Sequence, residues 1–144
     1  MNITREQLLL YAVTDRSWLK GETLYEQVEK ALKGGVTLVQ LREKELSEPE
    51  FEAEGRSLLE LCHRYRVPLI INDNVELAER IGADGVHVGQ SDMELTRARK
   101  ILGTDKIIGV TAKTIEQAQA AEKAGADYLG LSLIHISEPT RQEA

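Results

Sequence analysis

The sequence predicts an α/β fold of repeated βα units around a parallel sheet, and three observations carry that expectation. Short apolar runs alternate with segments of helical spacing as far as residue 131. The runs are mostly apolar at consecutive positions, as strands covered on both faces require, rather than alternately apolar and polar. Each helical segment opens on a small polar residue three places before Glu or Gln, and most close at glycine.

Taken in order, the strands read "LLLYAVT", "TLVQL", "VPLIIN", "DGVHV", "KIIGVT" and "DYLGLS", each flanked by glycine, proline or polar residues. Thr23 with Glu26 opens the first helix, and Ser47 with Glu50, Asp73 with Glu76, Ser91 with Glu94 and Thr114 with Gln117 open the next four. The entry to a strand recurs as a phrase in "KGGVTLVQL", "IGADGVHVG" and "AGADYLGLS", with glycine at a helix end just before β-branched or aromatic residues. Six strands and five helices in strict alternation admit an open doubly wound sheet or a (β/α) barrel. Both place chemistry at the C-terminal ends of the strands.

A chain of 144 residues with net charge -6 is the size of one domain. Its 42% hydrophobic and 29% charged residues are ordinary for a soluble globular protein, and the acidic balance argues against nucleic acid or membrane surfaces as partners. No apolar run approaches the ~20 residues of a membrane span, and "MNITREQ" lacks the apolar stretch of a signal peptide, so a cytoplasmic location is expected. The single cysteine, Cys62, falls in the apolar periodicity of "SLLELCHRY"; it excludes an internal disulfide and reads as a packed helix residue.

The strand ends are where the sequence speaks of function. "TLVQLREKE" begins as a buried strand and then carries Arg42, Glu43 and Lys44. Charges past a strand end face the ligand crevice, so Arg42 and Lys44 suit an anion, while Glu43 alternates to the other side and can orient a neighbour. A solvated loop explains the same residues with equal weight. The other strand ends are polar too: Asn72 and Asp73 in "LIINDN", His87, Gln90 and Asp92 in "GVHVGQSD", and Thr111 with Lys113 in "IIGVTAKT". Carboxylates and cations on one rim can hold a hard divalent cation, magnesium foremost, with the phosphate it neutralises. Taken singly, Asp73 and Ser91 or Asp92 read more simply as helix caps, Thr111 as a strand-end hydroxyl, and His87 as a hydrogen-bonded core residue. There is no cysteine and histidine cluster of zinc spacing, no GxGxxG opening a helix and no Walker lysine motif.

The motifs "VTDR", "VQLREK", "IINDNVELA", "ADGVHVGQSD" and "IIGVTAKTIEQA" followed by "GADYLG" resemble, in order and spacing over residues 8 to 131, the thiamine phosphate synthase family. The resemblance implies a (β/α)8 TIM barrel, here with about its first six strands and five helices, that joins an aminopyrimidine methyl diphosphate to a thiazole phosphate. Thiamine phosphate and pyrophosphate are the products, and magnesium is the cofactor. It further implies that Gln40, Leu41, Arg42, Glu43, Lys44 and Asn72 bind the pyrimidine diphosphate, with Arg42 and Lys44 acting on the leaving group. Asp73 and Asp92 would ligate magnesium, and Thr111 would touch the pyrimidine. A thiazole tautomerase of the same fold is the second reading, but it has little use for Asp73 and Asp92. A non-catalytic fragment is the third.

That third reading comes from the C-terminal end. After "GADYLGLS" the family pattern expects a glycine and proline turn and a Thr-Xaa-Thr-Lys loop, whereas the chain reads "LIHISEPTRQEA". Residues 133–144 resemble translated vector sequence, so the expected division is 1–132 as the front of the barrel and 133–144 as a non-native tail in which His135 has no role. Barrels need about 200 to 250 residues, so the first and sixth strands are expected to stand as parallel edges open to aggregation or to pairing with another copy. The usual barrel phosphate site after the seventh and eighth strands would be missing, and this chain is expected to have negligible turnover. Tyr11 and Trp18 flank the first strand end and are left open between pocket lining and packing.

Overall fold

Strand order decides between the two architectures. In the computed structural model, which describes residues 1–89 and 92–131 and the backbone alone of Asp92 and Met93, all six strands are parallel and lie in chain order. They are β1 Tyr11–Val13, β2 Leu38–Leu41, β3 Leu69–Asn72, β4 Gly85–Val88, β5 Ile107–Ala112 and β6 Tyr128–Leu131. A doubly wound sheet reverses its strand order at a switch point; this one never does, which is the barrel pattern. Between the strands run α1 Leu24–Lys33, α2 Glu48–Arg64, α3 Val75–Ile81, α4 Asp92–Leu102 and α5 Ile115–Lys123, with a 3-10 turn at Arg16–Trp18 before α1. The sheet curls, because the side chains of Tyr11 on β1 and Tyr128 on β6, its two edges, touch.

Alternation along the strands sorts their residues into two layers. Val39, Leu41, Leu69, Ile71, Val86, Val88, Ile108 and Val110 join the helix residues Leu24, Val28, Phe51, Leu58, Leu61 and Leu77 in the outer core. The opposite parity lines the inside of the curl. Its lower part is apolar, with Leu38, Ile70, Ile107 and Tyr128 packed around Ile3 of the N-terminal segment. Its upper part, toward the strand C-termini, is polar.

The recurring Gly-Ala-Asp phrase has a structural meaning. The backbone N–H of Asp84 donates to Leu69 O at 3.0 Å, while its carboxylate accepts the N–H of Leu69 at 2.8 Å. Asp127 does the same to Ile108, at 2.8 Å in both directions. Each aspartate thus starts its strand by completing the ladder of the preceding one, and each is held by a helix residue, His63 for Asp84 and Arg99 for Asp127. Asn2 also donates to Asp127, which ties the N-terminal segment to β5 and β6.

The capping expectations divide. Thr23 with Glu26 and Ser47 with Glu50 form reciprocal capping boxes. Thr114 caps α5 by accepting from Gln117 N, while the Gln117 amide oxygen accepts from Lys113 N one residue earlier. Asp73 does not cap α3: it adopts a left-handed φ of 69°, which shifts the helix start by one residue, and Asn74 accepts from Leu77 N instead. Ser91, expected to cap α4, the 132/133 boundary, and His135 lie outside the described residues; Glu94 accepts from Gly89 N at 2.8 Å. Helix α2 lacks a terminal glycine, and Arg66 takes the left-handed position with φ 59°.

Candidate functional site

Every strand contributes one side chain to a continuous polar chain inside the curl. The Asn72 amide (β3) donates to Gln40 Oε1 at 2.9 Å, and Gln40 Nε2 (β2) donates to the Tyr11 hydroxyl (β1) at 2.9 Å. Tyr11 meets the Tyr128 hydroxyl (β6), which lies 2.9 Å from His87 Nδ1 (β4), and His87 Nε2 lies 2.8 Å from Thr111 Oγ1 (β5). Gln40 and His87 are buried, and burial pulls the imidazole pKa down to about 4, so His87 is neutral at pH 7. These groups and Arg42 line an open cavity of about 460 Å³. Glycines make the room: a Cβ on Gly130 would sit 3.2 Å from the His87 ring, and one on Gly109 would overlap the Tyr128 ring.

The second part of the rim is charged. The β1 and β2 loops are stitched together where Arg42 N donates to Thr14 Oγ1 at 3.0 Å. Arg42 and Lys44 line a cleft of about 570 Å³ with Thr14, Asp15, Arg16 and Glu43. Among the described residues neither Arg42 nor Lys44 is in an ion pair; both are exposed, and the Arg42 charge is felt by Asp15 on the same cleft. Arg16, by contrast, is consumed by two carboxylates: its Nε lies 2.6 Å from Glu43, and its Nη2 pairs with Glu54 of α2. Burial first, and then the neighbouring Glu43, push the Glu54 carboxyl up to about 7. Its Oε1 is buried with no donor in reach, and a proton there turns it into a donor toward Glu43.

Of the residues singled out from the sequence, Gln40, Asn72 and Thr111 share the cavity, with Arg42 on its border. Glu43 faces Arg16, and the Leu41 side chain belongs to the outer core, which leaves only its backbone to the rim. Asp73 lines a smaller adjoining cleft with Glu43, Asn72, Asn74 and Glu76. Its backbone N–H donates to His87 O at 2.8 Å, and among the described residues its exposed carboxylate accepts no hydrogen bond. The side chain of Asp92 lies outside the described residues, and no group of three potential metal ligands occurs among them. Cys62 is buried in α2, and burial raises its thiol to about 12, which removes it as a nucleophile.

Tyr11, which the sequence leaves open between pocket lining and packing, lines the cavity, and so does Tyr128, which the sequence does not single out although strand alternation carries the signal. Tyr11 pairs in register with Leu38, which shares the inward parity of Gln40, and Tyr128 pairs with Gly109, two residues before Thr111. Trp18 lies apart, 69% exposed, over an apolar groove between β1 and α1.

Parallel strands in chain order with helices outside define a chain of the (β/α)-barrel class, with polar and cationic groups gathered at the strands' C-terminal ends. The comparisons are narrower. The family model described as thiamine monophosphate synthase matches residues 10–143, and the chain belongs to that family. It is 56% identical over 126 residues to the thiamine-phosphate synthase of Clostridium acetobutylicum, covering 88% of this chain and 60% of that protein. To the thiamine-phosphate synthase of Clostridium novyi it is 54% identical over 128 residues, covering 89% and 63%. Among solved structures, the thiamine phosphate pyrophosphorylase from Pyrococcus furiosus superposes with a TM-score of 0.81 at 38% identity, over 89% of this chain and 61% of that one. The chain therefore spans about three fifths of the length of these relatives. No described helix is long and apolar enough to cross a membrane.

Proposed function

We propose that this chain carries the pyrimidine diphosphate half of a thiamine phosphate synthase site, which works on small phosphorylated molecules in the cytoplasm. One observation carries the reading: Arg42 borders both the polar cavity and the cation-lined cleft, so a flat ring in the first can be joined to a diphosphate in the second. Arg42 and Lys44, uncommitted to carboxylates, bind the diphosphate, and Gln40, Asn72 and Thr111 orient the aminopyrimidine.

In the reaction, the bond between the pyrimidine methylene carbon and the diphosphate oxygen breaks, and its electron pair leaves with pyrophosphate. The lone pair of the thiazole nitrogen then forms the new carbon–nitrogen bond. The protein supplies no nucleophile, in keeping with the inert Cys62. Arg42 and Lys44 act where negative charge grows on the leaving group; loss of such a contact commonly costs about 3 kcal/mol of barrier. Asp73 fits a magnesium ligand, being a hard oxygen donor that is exposed at the rim and free of a capping role, and Asp92 is its proposed partner. Bound there, magnesium would neutralise pyrophosphate charge.

The reading uses residues 1–132 and takes nothing from 133–144, although the family match extends to 143. Calorimetric titration of the chain with the pyrimidine diphosphate, with and without magnesium, tests it. Saturable binding that magnesium strengthens supports it; equal indifference to the diphosphate and to magnesium overturns it.

A further inference from the structure

The polar chain inside the curl has a direction. Asn72 donates to the Gln40 oxygen, which leaves the Gln40 amide hydrogens to donate to Tyr11. In the ordering that continues this sense, Tyr11, accepting from Gln40, gives its one proton to Tyr128, and Tyr128 gives its own to His87 Nδ1. A neutral imidazole carries one N–H. Nδ1 being the acceptor, Nε2 carries the proton and donates to Thr111 Oγ1. In this ordering Thr111 is left with a hydroxyl proton that no member of the chain accepts. Thr111 lines the cavity.

We propose that Tyr11, Tyr128 and His87 are positioning residues that hold the Thr111 hydroxyl as a hydrogen-bond donor into the cavity, selecting a ring with an acceptor atom at that edge. The identity of that ring as an aminopyrimidine rests on the function proposed above; the direction of the chain does not. Tyr128 is the link that joins the β1–β3 arm, which sets the direction, to the β4–β5 arm, which presents it. Gly109 lets the Tyr128 ring reach that position. A sheet with Phe at 128 would keep the packing and lose the direction.

The test reads the imidazole itself. Long-range proton–nitrogen correlation spectra of the full chain, labelled at histidine nitrogen, report which ring nitrogen of His87 carries the proton. The expected form is Nε2–H; a proton on Nδ1 reverses the chain and overturns the proposal. Tyr128→Phe and, two links from His87, Tyr11→Phe should both turn the single tautomer into a mixture. An unchanged Nε2–H form in both variants would show that the tautomer is set elsewhere, and would overturn it too. If a variant fails to fold, the wild-type spectrum still decides. A parallel titration separates this proposal from the function: Tyr128→Phe should weaken the pyrimidine diphosphate about tenfold, as one lost oriented hydrogen bond predicts, while inorganic pyrophosphate is unaffected. Failure of both ligands to bind wild type refutes the proposed function and leaves the tautomer result standing.

Discussion

The ring of Tyr128 on β6 occupies the space a side chain on Gly109 of β5 would fill: a Cβ there would lie 2.0 Å from the tyrosine Cζ. The two residues are in register in the parallel sheet. Tyr128 is 8% exposed, and its hydroxyl is held from both sides by Tyr11 and His87, so the ring has little freedom to move aside. Burial raises its phenol pKa, which keeps the hydroxyl neutral at any working pH.

Gly109→Ala is therefore expected to be costly despite the small change. Overpacking of this kind costs about 1–3 kcal/mol, read as a lower denaturation midpoint, and it should also detach Tyr128 from His87. A variant as stable as wild type would show that the ring can shift, and that the tight fit does not constrain the site.

Arg42 and Arg16 are close in space and should behave oppositely. Arg42 is exposed and without an ion pair among the described residues, so Arg42→Ala should melt like wild type while losing about a hundredfold in pyrophosphate affinity, comparable to the loss of a strong charge-assisted contact. Arg16 neutralises Glu43 and Glu54, so Arg16→Ala should lose about 2 kcal/mol of stability instead. Thermal melts and pyrophosphate titrations of the two variants separate the roles, and a stable Arg16→Ala or a tightly binding Arg42→Ala would contradict the assignment.

Much of the fold was legible because βα repeats advertise themselves locally. Apolar runs gave the strands and capping boxes gave Thr23 and Ser47 their roles, since both signals lie within a few residues. Asp73 shows the limit: its left-handed backbone is imposed by the bond from its N–H to His87 O on the next strand, which no local pattern contains. The choice of barrel over doubly wound sheet is likewise a matter of long-range order. In the site, the rim residues Arg42, Lys44, Asn72 and Thr111 were visible as polar interruptions at strand ends, whereas Gln40 was reached only through the family resemblance. Tyr128 was not visible, and Tyr11 stood open between pocket and packing, because an aromatic residue inside an apolar run reads as core until its partner 117 positions away is known.

Asp127 should show its worth in acid. Burial disfavours its charge, but the backbone N–H groups of Asn2 and Ile108 and the Arg99 guanidinium together outweigh that and hold the carboxyl below its ordinary 3.8. A depressed folded-state pKa stabilises the fold above the unfolded value and is lost as pH falls through the folded one. Asp127→Asn is thus expected to be less stable than wild type by about 1–3 kcal/mol at neutral pH, with the gap narrowing below pH 3.8. Denaturant titrations at several pH values check this, and a gap independent of pH would mean that the charge on Asp127 is not what Arg99 and the two amides hold.

Glu54 has the opposite sign. Its unfolded carboxyl titrates near 4.5, and its folded one is raised to about 7 by burial and by Glu43. Below 4.5 both states are protonated and the residue contributes nothing to the pH dependence. Between 4.5 and about 7 the folded chain keeps a proton that the unfolded chain has released, so stability must decline as pH rises across that window and level off above it. Glutamine mimics the protonated acid: it can donate to Glu43 and still accept from Arg16. Glu54→Gln should match wild type at the acid end of the window and exceed it at the alkaline end. Because Glu43 lies between Arg42 and Lys44, the same variant should also flatten any pH dependence of pyrophosphate binding that arises from this cluster. Denaturation midpoints of the two proteins across the window decide the matter: curves that run parallel would show that Glu54 is ionised throughout and that Arg16 alone satisfies both carboxylates.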